Sequence, residues 1–121
     1  MRKLYVLSKP IDNKPRRLIG ELTEESGEYT FKYRLGDTLP EWFLIIDEFP
    51  DITKVYRGEE VRPFINRNTP RPDSKYIKLF LEEAGLMEYD EWALLKQQGR
   101  FNPRQDAYLY ETLPLEAIVY A

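Results

Sequence analysis

The sequence of 121 residues contains no histidine and no cysteine. Without histidine the usual general base near neutral pH is missing, and without cysteine so is the usual thiol nucleophile. The same two absences exclude a disulfide framework and most zinc sites, and fit a reducing compartment such as the cytoplasm. Long apolar runs are also lacking. The run Leu4 to Leu7 behind Arg2 and Lys3 is far shorter than a signal-peptide core, and Trp42 to Ile46 is a fraction of the roughly 20 residues a membrane helix needs. The expectation is a cytoplasmic domain with no membrane segment. Histidine-free, thiol-free chemistry leaves only carboxylate, Lys, Tyr or Ser groups. Asp47, Glu48 and Asp51 form the densest carboxylate cluster, which a paired-carboxylate hydrolase would need fixed across a cleft. Clustered acids on a turn are more often solvated, and no EF-hand spacing or Gly-rich phosphate loop accompanies them. No catalytic, metal or cofactor site is assigned.

What is present is a single domain's worth of chain, with 42% apolar residues and 14% aromatics, enough to bury a sizeable core. The formal charge is −3. Contact with nucleic acid would therefore have to run through a local patch. The strongest candidate is the proline-bounded segment Phe49 to Pro72, which carries Arg57, Arg62, Arg67 and Arg71.

The pattern predicts an α+β fold: an antiparallel β meander, two to three helices and a C-terminal strand pair. Lys3 to Ser8, Arg17 to Thr23 and Glu28 to Arg34 read as strands, the last alternating Tyr29, Phe31 and Tyr33 against Thr30 and Lys32. Glu24-Glu25-Ser26-Gly27 supplies one turn, and Ile11 to Pro15 a looser one. Trp42 to Ile46 reads as a buried strand. From Gly58 the period becomes helical, with Val61, Phe64 and Ile65 on one face and a kink or restart at Pro63. A second helix is expected behind an Asp73 or Ser74 cap, with the stripe Tyr76, Ile77, Phe80, Leu81 and Ala84 and a left-handed end at Gly85. A third begins at Asp90, with Tyr89 and Leu94 placed for a hydrophobic staple, and ends at Gly99. Asp106 to Glu111 and Ala117 to Tyr120 return to strand character.

The four arginines admit two readings. Nearby Asp51, Glu59, Glu60 and Asp73 neutralise them, or their planar forks meet an acidic or phosphorylated partner. Arg62 and Arg67 lie five positions apart, about 140° around a helix, so a flat DNA-reading surface is not implied. Trp92 reads as core. Trp42 stands at a loop-to-strand junction, as core or as a partner-binding anchor. Phe49 and Tyr56, flanking the arginines, belong either to the core edge or to the apolar centre of an interface.

In order, Leu4-Tyr5-Val6, Ile19-Gly20-Glu21-Leu22-Thr23, Gly27 to Tyr33, Leu44 to Pro50 and Val61 to Pro70 resemble the N-terminal subdomain of the HipA family of toxin-antitoxin kinases and its free-standing HipS-like versions. In that family these places hold a small strand, a "G-x-L" strand, an "F-x-Y" strand, an apolar strand ending in proline and a "v-x-x-F-F-x-N-L-L-P" helix. Leu94-Leu95, Gly99-Arg100 and Asp106 resemble the "D-L-L-x-x-x-G-x-D" stretch. Two departures stand out: Asn66-Arg67-Asn68-Thr69-Pro70 is more polar than "N-L-L-P", and Ala107-Tyr108 replaces a small "G-A" pair. The resemblance covers nearly the whole chain and leaves no length for a kinase core. It implies a non-catalytic, antitoxin-like subunit, not an enzyme, that binds a HipA/HipT-like kinase core, with a HipB-like helix-turn-helix protein as a second candidate partner. Trp42, Phe49, Tyr56, Arg57, Arg62, Arg67 and Arg71 are the expected partner-binding residues. The alternative is a nucleic-acid-associated accessory module of a toxin-antitoxin operator complex.

Overall fold

A computed structural model of the chain describes residues 1–8, 17–35, 45–99 and 107–112. Their frame is a five-stranded antiparallel sheet of order β4-β3-β2-β1-β5, made of β1 (Arg2–Ser8), β2 (Leu18–Glu25), β3 (Glu28–Tyr33), β4 (Tyr56–Arg57) and β5 (Ala107–Tyr110). Helices α1 (Arg62–Asn68), α2 (Ile77–Glu83) and α3 (Glu91–Gly99) fall between β4 and β5 in the chain. The α+β class and the meander expected from alternation are therefore present. β2 and β3 are joined by Ser26 and Gly27, whose φ values of 52° and 84° are the positive pair of a tight hairpin turn. Glu24 fixes that turn: its Oε1 accepts the Gly27 N–H at 2.9 Å, and its Oε2 accepts from Arg2 Nε at 2.6 Å. The Gly27 bond first, and Arg2 after it, hold the Glu24 carboxyl below its usual pKa.

Register separates the two faces of the sheet. Leu4, Leu22, Phe31 and Tyr56 lie in one cross-strand row, all buried. Behind them Phe31 stacks on Phe49 with ring centroids 4.1 Å apart, and Phe64 of α1 lies 5.2 Å from Phe49. The next row, Lys3, Thr23, Thr30 and Arg57, is on the opposite face by the period of two. Between Val6 and Leu7 the register slips: Val6 pairs with Gly20 and Leu7 with Leu18, so Ile19 is the extra residue of a bulge.

Three local expectations need correction. Ile45 and Ile46 lie outside any strand, and Trp42 to Leu44 lie outside the described residues. Ile46 enters the core instead through Tyr33, whose hydroxyl accepts the Ile46 N–H at 3.1 Å and donates to the Phe49 carbonyl at 2.7 Å. Neither Asp73 nor Ser74 caps α2, which starts after Tyr76 with no side-chain cap. Ser74 accepts the Tyr76 N–H in the preceding turn, and Asp73 is held by Arg71. The expected apolar stripe of α2 is only half-buried at Ile77, Phe80, Leu81 and Ala84, and Tyr76 is exposed.

Other local signals hold. Pro63 restarts the helix, since a 3-10 turn at Gly58–Glu60 precedes α1 and the proline occupies its first turn, where a missing N–H costs nothing. Gly85 has φ +70°, and the bonds Leu86 N to Leu81 O (2.8 Å) and Gly85 N to Glu82 O (3.1 Å) complete a Schellman end. Asp90 Oδ1 accepts the Ala93 N–H at 3.2 Å as the α3 cap. Of the expected C-terminal strand pair, the first forms β5 beside β1; Ala117 to Tyr120 lies outside the described residues, as do the Ile11 to Pro15 turn and Arg100 to Asp106. No helix among the described residues is long and apolar enough to cross a membrane.

The buried phenols give the fold an alkaline limit. Burial pushes the Tyr33 pKa up to about 12 against the Ile46 hydrogen bond, and burial followed by the Glu91 carboxylate raises Tyr29 and Tyr89. A folded pKa above the unfolded value of 10.0 means the unfolded chain loses its phenolic protons first. The stabilisation is therefore complete below pH 10 and is lost as pH rises through the folded values. In stopped-flow mixing into alkaline buffer, tyrosinate absorbance of these phenols is expected to rise together with loss of far-UV signal. Ionisation of all nine tyrosines at pH 10 in a fully folded chain would overturn this.

Candidate functional site

The arginine segment does not form one surface, because Arg62 and Arg67 are held by two different distant parts of the chain and Arg71 by a neighbour in its own loop. Arg62, at the start of α1, gives Nη1 to Glu91 Oε2 of α3 at 2.8 Å. Its guanidinium also lies over the Tyr29 ring at 5.5 Å, and Tyr29 donates its hydroxyl to Glu91 Oε1 at 3.0 Å. Arg67 turns the other way, with Nε 2.6 Å from Glu48 Oε1. Arg71 pairs with Asp73 at 3.2 Å, where both side chains are largely exposed and the bond adds little. Local neutralisation thus accounts for three of the four arginines, though only Asp73 among the acids expected to do it takes part; Glu60 is bound to Lys54 and Asp51 to Thr53. Arg57 is exposed and makes no ion pair among the described residues.

Phe49 and Tyr56, expected at an interface or the core edge, are in the core, 0% and 4% exposed. The reason is tertiary: Phe49 fills the space between Phe31 and Phe64, and the Tyr56 hydroxyl accepts the Asp51 N–H at 2.7 Å. No partner can reach them in the folded chain. Trp42 lies outside the described residues. Trp92 is core, as expected, 6.3 Å from Tyr29 and covered by Arg2 at 4.9 Å. Among the carboxylates, Asp47 and Asp51 are exposed and Glu48 is committed to Arg67. No group of three His, Cys, Asp or Glu among the described residues is arranged to hold a metal ion.

A charged surface does form where sequence reading did not place one. On the sheet face opposite the aromatic core, Glu21 is 5% exposed and lies between three cations from the two strands that flank β2: Lys3 Nζ of β1 at 3.5 Å, Lys32 Nζ of β3 at 3.9 Å and Arg34 Nη1, just past β3, at 2.8 Å. One carboxylate facing three cations leaves the region positive. Arg57 adds a fourth cation at the β4 edge, where it lines a shallow depression with Met1, Thr23, Glu25, Glu28 and Thr30, and the two carboxylates there offset its charge. Tyr5, opposite both Glu21 and Tyr110, borders it on the β5 side, and Leu7 and Leu18 at the bulge are buried. The signal was in the sequence: Lys3, Glu21, Lys32 and Arg34 occupy the alternate positions of their strands. Which strand positions stand opposite one another depends on register, which the alternation alone does not give.

At the end of α1, Asn68 is 2% exposed; its amide donates to the Phe64 carbonyl at 2.7 Å and its Oδ1 has no partner among the described residues. The polar departure from the "N-L-L-P" pattern is thus partly internal. No family model matches the chain, and neither a curated protein nor a solved structure does.

Proposed function

We propose that this chain is a non-catalytic, antitoxin-like regulatory subunit of the cytoplasm, which binds a separately encoded HipA-like Ser/Thr kinase and restrains or tunes it. One observation carries the reading. The residues on which the resemblance rests are scattered over the sequence, yet Leu22, Phe31, Tyr33, Phe49, Phe64 and Ile65 meet in one core. A small domain built around such a core has its chemistry on the outside. The cationic sheet face with Lys3, Lys32, Arg34 and Arg57 is the part of that exterior suited to an acidic surface of the kinase. Arg62 and Arg67, already paired, contribute to the shape of the domain more than to its charge. Charges of this kind set association rate and salt dependence before they set affinity.

Co-expression with a HipA-like kinase core from the same genome, followed by size exclusion, is expected to give one complex. Two independently eluting species would count strongly against the proposal. Within a complex, Arg57→Glu with Lys32→Glu is expected to slow association by about tenfold at low salt, with little change in the melting temperature. The same cations favour a second reading, an accessory module contacting phosphate in an operator complex. That reading requires binding to short duplexes that weakens steeply with salt.

A further inference from the structure

Helix α2 carries its charges against its own dipole. A helix N-terminus is partially positive and its C-terminus partially negative, so acids are favoured at the first and bases at the second. In α2 no acid stands in the first turn and no base in the last. Lys75 and Lys78 are at the N-terminal end instead, and Glu82 and Glu83 at the C-terminal end. Ion pairs elsewhere join Arg2 to Glu24, Lys54 to Glu60, Arg62 to Glu91, Arg67 to Glu48 and Lys96 to Glu111. Lys78, Glu82 and Glu83 have no such partner among the described residues, and Lys75 only covers the Tyr76 ring at 5.0 Å.

These charges lie on the exposed side. At 100° per residue, Ile77, Phe80, Leu81 and Ala84 share the half-buried arc, while Lys78, Leu79, Glu82 and Glu83 share the exposed one; Lys75 and Tyr76, in the turn before the helix, are exposed as well. α2 has no buried residue and is missing from the principal packing pairs of the described elements. At the centre of the outer arc Leu79 is 54% exposed, with Tyr76 beside it at 56%. An exposed leucine is thus set between two positive and two negative side chains.

We propose that this face pairs with the same face of a second copy of the chain, with the two α2 helices antiparallel. A two-fold axis passing by Leu79 sets the lysine end of one helix, Lys75 and Lys78, beside the acidic end of the other, Glu82 of the partner subunit and Glu83 of the partner subunit. Each protomer then supplies what the other's helix ends lack, and Leu79 meets its own copy at the axis. A parallel pair would place lysine on lysine. The contact is small, because a helix of 7 residues is only about 10 Å long. Such an interface falls well below the area of a stable dimer, so the dissociation constant is on the order of 0.1–1 mM.

Sedimentation equilibrium of the full chain from about 10 μM to about 1 mM tests this, the range being set by that affinity. The wild-type chain is expected to dimerise reversibly, less so at high salt. Lys75→Glu with Lys78→Glu, and separately Glu82→Lys with Glu83→Lys, should each weaken self-association by about tenfold or more. An equimolar mixture of the two variants should associate again, which neither misfolding nor a loss of apolar contact would produce. The fourfold charge reversal should dimerise like the wild type. A wild-type chain monomeric throughout, same-sign variants that self-associate as well as the wild type, or a mixture that fails to associate would each overturn the proposal. A monomeric wild type whose Leu79→Ala variant loses kinase binding would assign the face to the kinase instead.

Discussion

Phe31→Ala is expected to cost about 3–5 kcal/mol, a large part of the roughly 5–15 kcal/mol that holds a domain of this kind together. Phe31 is 0% exposed on β3, which is hydrogen-bonded on both sides, to β2 and to β4. Its ring stacks on Phe49 at 4.1 Å and an 11° interplanar angle, meets Tyr33 edge-on at 4.9 Å and lies 6.4 Å from Phe64. The neighbours cannot close the space it would leave. Tyr33 is held at its hydroxyl by Ile46 and Phe49, and Phe49 touches Tyr56 and Phe64 on its far side. The cavity term therefore adds to the lost transfer energy. Urea unfolding should show the whole effect as a lower midpoint with an unchanged slope. Leu79→Ala, on the exposed side of α2, should stay within about 0.5 kcal/mol in the same assay, measured at dilution where α2 faces solvent. A loss below about 1.5 kcal/mol for Phe31→Ala would mean the aromatic cluster collapses around the gap, contrary to the packing argument.

The second large effect is expected at Gly20, for a reason that is steric. A β-carbon there would lie 2.7 Å and 2.8 Å from Phe31 Cζ and Cε2, and 2.9 Å from the Lys32 carbonyl oxygen. Two of those atoms belong to a ring packed on all sides, and the third to the backbone of the neighbouring strand. None of them is the free end of a flexible side chain. Gly20→Ala is expected to cost about 1–3 kcal/mol, and Gly20→Val more, although valine is the better strand former. The decisive measurement is the double mutant. Because the clash is with Phe31, Gly20→Ala combined with Phe31→Leu should be less destabilising than the sum of the two by about 0.5–3 kcal/mol. Strict additivity would show that Gly20 is required for something other than room for that ring.

Gly20 illustrates how much of the molecule was legible in its sequence. The "G-x-L" and "F-x-Y" patterns mark two strands without saying that the glycine of one exists to admit the phenylalanine of the other. Alternation gave β1, β2 and β3 to within about two residues, and Gly85, Asp90 and Pro63 each marked the helix boundary that its own chemistry dictates. These are local signals, acting within one turn or one strand. The short β4 had no such signal, since Tyr56–Arg57 is a strand only because β3 lies beside it. Helix α2 shows the opposite case. Its stripe has the period of a core helix, yet periodicity says only that one face is apolar, and α2 leaves that face half-buried.

The candidate site divides in the same way. The sequence by itself determined that this chain lacks imidazole and thiol, that its meander alternates, and that four arginines accompany an aromatic segment. Only the tertiary structure decided that Arg62 goes to Glu91 and Arg67 to Glu48, that Phe49 and Tyr56 are unavailable, and that Lys3, Lys32 and Arg34 converge on Glu21. Secondary structure follows from interactions a few residues apart. The partner of a charge and the neighbour of a ring are set by contacts between distant parts of the chain, which strand register and helix placement alone bring within reach.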